Sequence, residues 1–156
     1  GIQSQDLLGR KVTMQNGKAL QLLSAEIMKT IQEASKVEGL QSYAKTLGVK
    51  LQLTQKVLGH LMPHVMKGDY ERYLADASVF MEFLSLVIIG WTWLDLGLNA
   101  TNALTSEGKY SKEFYDSKIH TMKYFFTYEI PKTSGLAEIL LNTESITIKK
   151  DTEPII

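Results

Sequence analysis

His60 and His64 stand four residues apart in the run His-Leu-Met-Pro-His. On a straight helix that spacing puts two imidazoles on one face, which is what ligation of a divalent metal requires. Two features argue against a metal site. Leu61 occupies the position after the first histidine, where a zinc hydrolase of the His-Glu-x-x-His type carries its general base, and Pro63 lies between the two rings. Helical bundles that hold a pair of iron or manganese ions use Glu-x-x-His on paired helices. Glu26, Glu33, Glu71, Glu82 and Glu113 are each followed, three positions on, by something other than histidine. No metal centre is expected.

Asp116 and His120 are also four apart and can share a hydrogen bond; on an exposed helix face such a pair is more often structural than catalytic. Glu82 and Asp95 lie in an otherwise apolar segment. A buried carboxylate is costly unless paired, and its raised pKa would suit a general base. With no cofactor motif beside them, both are expected at a solvent edge or against a lysine. Tyr115, Tyr124, Phe125, Phe126 and Tyr128 could stack on a flat ligand, but their helical spacing fits packing better. Glycines at positions 9, 39, 48, 59, 68, 90, 97 and 108 are dispersed and form no phosphate-cradling loop. The sequence contains no cysteine, which excludes disulfides, thiolate metal sites and cysteine nucleophiles. Seventeen basic and seventeen acidic side chains cancel, and only Arg10 and Arg72 are arginine. Nucleic acid is therefore not an expected partner.

The elements that would position these residues are helical. Leu20, Leu23, Ile27, Ile31 and Ala34 advance by threes and fours, and Gly39 offers a left-handed stop after them. Leu40, Ala44, Leu47, Leu51, Val57 or Leu58, Leu61 and Val65 draw a second stripe, with a kink or break expected around Leu61–Pro63. The third runs from Tyr70 and Tyr73 through Ala77, Phe80, Leu84, Val87, Trp91 and Leu94 to Leu98, with Asp69 as N-cap candidate. It is apolar nearly all round in its middle, so burial on several sides is expected. Glu82, Ser85, Thr92 and Asp95 interrupt Val79–Leu98, and a membrane span, which wants about 20 nearly uninterrupted apolar residues, is not expected. Ser111 caps a fourth helix carrying Phe114 or Tyr115, Ile119, Met122, Phe126 and Ile130, ended by Pro131; a short helix follows over Ser134–Leu141. With 156 residues, 44% of them apolar, the chain is long enough to bury its own core. The fold class expected is all-α: an antiparallel four-helix up-and-down bundle with short extra helices at the ends. The divisions expected are a leading segment over 1–12, the bundle over 13–142 and a flexible tail over 143–156.

Three runs carry a family resemblance. Gly-Ile-Gln-Ser-Gln-Asp-Leu-Leu-Gly-Arg-Lys, Gly1–Lys11, resembles the segment that follows the catalytic Tyr-Glu-Gly-Thr-Asn loop of large bacterial acyl-CoA dehydrogenases. Phe114–Pro131 resembles the last helix of the extra C-terminal domain of those enzymes, and Gly90-Trp91-Thr92-Trp93-Leu94 its buried third helix. Met122 stands where a small residue is usual and Ile130 where leucine precedes the proline, departures that concern packing.

The resemblance implies a parent enzyme that oxidises the Cα–Cβ bond of acyl-CoA thioesters. There a glutamate removes the α proton and the N5 atom of FAD accepts the β hydride. That base belongs to the loop upstream of Gly1, so no catalytic residue is assigned to this chain. Gly1 would occupy or adjoin a flavin-contacting position and is the only cofactor-binding candidate. The chain alone is expected to carry no cofactor and no metal. Its partners would be the rest of the parent enzyme, within a cytoplasmic homo-oligomer whose substrate is an acyl-CoA. Its own task would be structural: to cover the flavin domain, support the loop bearing the base and build a subunit interface. Whether the chain has enzymatic activity by itself stays open. Two alternatives are a free-standing helical module that docks a partner helix and a metal-dependent bundle enzyme using His60 and His64.

Overall fold

A computed structural model describes residues 18–66 and 76–142, with the side chains of positions 64–66 left out of the description. The first helix, α1, spans Lys18–Ala34 and buries Ile27, Thr30 and Ala34. Turns over residues 35–40 lead into the next helix, and Gly39 there takes φ 89°, a left-handed conformation that glycine adopts without a Cβ penalty. Gly39 thus serves the approach to the second helix instead of stopping the first, which has already ended five residues earlier.

Helix α2, Gln41–Met66, buries Ala44, Leu47, Leu51, Val57 and Leu61 on the expected stripe. It runs through Pro63 without a break. The proline lies in the final turn of the helix, where only one interior hydrogen bond is forfeited and little helix remains beyond it to be disrupted. Thr54, 5% exposed, satisfies its hydroxyl by donating to the Lys50 carbonyl at 2.8 Å.

Helix α3 spans Ala77–Leu104, starting after Asp76 instead of Tyr70 and continuing past Leu98. Asp76 occupies the N-cap position without a side-chain cap bond. Asp69, Tyr70 and Tyr73 lie outside the described residues, as do the segments 1–12 and 143–156. Phe80, Phe83, Val87 and Leu94 are fully buried, and α3 packs against all four other described helices. It is the axis of the core.

Helix α4, Lys112–Tyr128, begins as expected: the Phe114 backbone N–H donates to Ser111 Oγ at 3.2 Å, and Glu113 places a negative charge in the first turn. Helix α5 spans Lys132–Leu141 with Pro131 ahead of it. Fully buried Thr133 donates its hydroxyl to the Ile130 carbonyl at 2.6 Å. No strand occurs among the described residues, and the fold is all-α. Contacts of Gly97 with Met122 and of Gly90 with Ile130 show that α3 and α4 run antiparallel. The rest is compatible with the up-and-down arrangement expected.

Candidate functional site

Among the described residues, those singled out for chemistry do not converge. His60 is half-buried on α2; the side chain of His64 is outside the description. Among the described residues no three His, Asp or Glu side chains gather as a metal site would need. Asp116 is exposed and pairs at 3.9 Å with Lys112. Glu82 and Asp95 are both exposed, on the solvent-edge reading. Gly1 lies outside the described residues.

The aromatic run separates into groups with different tasks. Phe126 is buried and meets Tyr43 edge-on, with centroids 5.3 Å apart, joining α4 to α2. Tyr115 closes the link between α3 and α4: its hydroxyl accepts from the Tyr110 N–H at 3.0 Å, and its ring packs on Gly108. Tyr124 and Tyr128 pair with each other at 4.8 Å while remaining 55% and 60% exposed.

Side-chain shape fixes the seam between α3 and α4. Met122 Sδ occupies the space where a Cβ on Gly97 would project. One heptad earlier, Ile130 Cδ1 lies 2.7 Å and Phe125 3.6 Å from the Cβ position of Gly90. Met122 and Ile130 are both fully buried. Met122 and Ile130 are thus the knobs that fill the notches at Gly97 and Gly90. On the other side of α3, the Trp91 indole N–H donates to Thr30 Oγ1 at 2.8 Å, satisfying a hydroxyl that is only 7% exposed.

Helix α3 is buried on several sides, as expected, but it is not covered all round. Leu86, Ile89, Trp93 and Leu96, at steps of three and four, form an outer stripe. Ile89 is 43% and Leu96 39% exposed, and Leu86 and Trp93 are half-buried. The most apolar 18-residue window of α3 has mean hydropathy 1.7, long and apolar enough to cross a membrane by length and composition, yet only 39% of it is buried in this chain. Its other face forms the core of the bundle. An interior helix of that composition would have most of its window buried; this one has an apolar face to spare.

Two lysines have perturbed electrostatics. Lys50 on α2 donates to Ser134 Oγ on α5 at 3.0 Å, and partial burial pulls its amine below the usual lysine range. Lys132 donates to Glu129 Oε2 at 2.8 Å; that hydrogen bond and the Glu129 charge hold its ammonium above the usual range. The pair lies at the surface and ties Lys132, the first residue of α5, to Glu129 in the turn before it.

Sequence reasoning missed the Lys50–Ser134 and Trp91–Thr30 bonds, and no local pattern signals either. The open stripe on α3 did leave a signal, an excess of apolar residues beyond what one core-facing side needs.

No curated protein matches this chain in a sequence search. The family model described as acetyl-CoA dehydrogenase C-terminal like matches residues 23–150, which takes in α1 to α5 almost whole. The glycine-notched α3–α4 pair, the Ser111 cap and the short α5 lie inside that match, and the chain belongs to the acetyl-CoA dehydrogenase C-terminal like family.

Proposed function

We propose that this chain is the C-terminal helical domain of a flavin-dependent acyl-CoA dehydrogenase and that its own work is structural. The observation that carries this reading is α3: a helix of mean hydropathy 1.7 with 39% of its window buried. Burying an apolar side chain contributes about 1.5–3 kcal/mol, so the stripe Leu86, Ile89, Trp93 and Leu96 gains from contact with another surface. That surface would be the rest of the parent enzyme, in a cytoplasmic homo-oligomer. In this reading residues 13–142 form the bundle, 1–12 connect it to the catalytic loop, and 143–156 form its tail.

The described residues do not fit a flavin. They hold no arginine, and the close-approach glycines Gly90, Gly97 and Gly108 are filled by Ile130, Met122 and Tyr115, leaving no cradle for a pyrophosphate. The oxidation of an acyl-CoA is therefore assigned to the remainder of the parent enzyme, with Gly1 as the one position of this chain proposed to adjoin its flavin.

The test is to titrate the purified chain with FAD and then add an acyl-CoA and an electron acceptor. No quenching of flavin fluorescence at stoichiometric ratio and no acceptor reduction are expected. Stoichiometric flavin binding, or turnover, would overturn the structural reading.

A further inference from the structure

The open stripe of α3 continues onto α4. Gly90 and Gly97 set the seam between the two helices, their notches filled by Ile130, Phe125 and Met122. On one side of the seam Trp91 bonds Thr30 of α1 and Phe126 meets Tyr43 of α2, so that side is the core. Leu86, Ile89, Trp93 and Leu96 lie on the other side of α3. Helical periodicity puts Phe114, Lys118, Phe125 and Tyr128 on the same outer side of α4. Phe114 and Tyr128 are exposed and Phe125 is half-buried, so the two stripes make one apolar face.

Each end of this face carries one charge. Glu82, a step of four before Leu86 on the same stripe, is exposed at one end. Lys118 stands at the other, half-buried, its Nζ 5.1 Å from the centre of the Phe114 ring. Because Gly97 faces Met122 and Gly90 faces Ile130, the antiparallel register brings Lys118 level with Thr101 of α3. The stripe from Leu86 to Leu96 is thus centred midway between the acid and the cation. Among the described residues neither charge is in an ion pair: the carboxylate of Asp116 goes to Lys112 and that of Glu129 to Lys132. Lys132 feels the Glu82 charge but is hydrogen-bonded to Glu129.

We propose that this face pairs with the same face of a second copy of the chain, the two α3 helices running antiparallel about a two-fold axis between Ile89 and Trp93. A two-fold contact must be self-complementary: if residue i touches j, then j touches i. Under that symmetry Leu86 meets Leu96 of the other copy, Ile89 meets Trp93, and each Glu82 reaches the other copy's Lys118. An acid and a cation at matching distances from the middle satisfy the condition, and leave no like charges opposed. The charges at the rim fix register and direction more than affinity. Trp93 and Tyr128, both level with the axis, supply the aromatic area typical of an interface centre. The inference rests on the reading of the stripe as a contact surface of the parent homo-oligomer, and names the occupant as a second subunit. In the isolated chain the contact depends on concentration, and at high dilution the stripe is open.

The experiment is sedimentation velocity on the purified chain over a concentration series, with circular dichroism to verify folding. The dimer fraction is expected to rise with concentration. Glu82→Lys and Lys118→Glu, both at the surface, are each expected to weaken the dimer severalfold, because each opposes like charges across the two-fold. An equimolar mixture of the two variants is expected to restore it, since every contact then joins a lysine to a glutamate. Ile89→Asp is expected to leave a folded monomer. A chain that stays monomeric at every concentration would overturn the proposal and give the face to another occupant. A dimer that ignores both charge reversals, or a mixture no stronger than the single variants, would overturn it equally. Either failure leaves the structural reading standing, whereas flavin binding by the chain would refute that reading without changing its sedimentation.

Discussion

Phe83→Ala is expected to destabilise the domain by about 3–5 kcal/mol, measured as the change in the urea unfolding free energy followed by helical circular dichroism. Phe83 is fully buried on α3, the helix that packs against all four other described helices, and belongs to the hydrophobic core they share. Truncation removes the transfer free energy of the ring and leaves a cavity that surrounding helices can close only in part. Trp91→Ala should cost less. Although larger, Trp91 is half-buried and shares its indole N–H with Thr30 at one edge of the core. Ile89→Ala on the open stripe of α3 should change stability by no more than about 0.5 kcal/mol. A Phe83 loss under about 1 kcal/mol would contradict the placement of α3 at the axis.

Gly97→Leu is expected to cost about 3 kcal/mol through overpacking of the α3–α4 seam. The Cβ would enter the space of the Met122 sulfur, and Met122 is fully buried, so it has no open side to which it can retreat. Shortening the knob should return part of the loss: Gly97→Leu with Met122→Ala is expected to be more stable than Gly97→Leu alone. The coupling in the double-mutant cycle should then be about 1 kcal/mol or more. Gly59 provides the contrast. It is exposed on α2 with nothing within 4 Å of its Cβ position, so Gly59→Ala should stabilise by about 0.5–1 kcal/mol through helix propensity. Equal effects at positions 97 and 59, read from thermal or urea unfolding, would mean that Met122 does not seat on Gly97.

Periodicity made much of the fold legible. Ile27 and Ala34 on α1, Leu47 and Leu51 on α2, and Met122 and Phe126 on α4 are buried where a stripe of threes and fours places them, because a 3.6-residue repeat brings those side chains to one face. Ser111 was legible as a cap because its chemistry is local, a short side chain accepting from an N–H three residues on. The start of α3 was harder to see. Tyr70 and Tyr73 keep the apolar phase across a boundary that lies at Asp76, and phase alone does not say where a helix begins. Pro63 does not break α2, since a proline near a helix end costs less than one in the middle.

The site was less legible than the fold. The Trp91–Thr30 and Lys50–Ser134 bonds join residues 61 and 84 positions apart, and such pairings arise only when the helices have packed. Gly90 and Gly97 read as scattered glycines in sequence. Their meaning appears only opposite Ile130 and Met122, where the missing Cβ is the space the other helix fills. The apolar girth of α3 was visible from the start. What could not be read was how much of it this chain would cover.

The absence of cysteine from the sequence allows a direct measurement of the central claim. Ile89→Cys or Leu96→Cys places a single thiol in this chain, on the open stripe of α3, and the modification of that position by a maleimide, read by peptide mass spectrometry, can be compared in this chain alone and in the proposed parent enzyme. Fast labelling in the isolated chain and strong protection in the proposed parent enzyme are expected. Equally fast labelling in both would show that the parent enzyme leaves this face bare, and would contradict the docking role proposed for the domain.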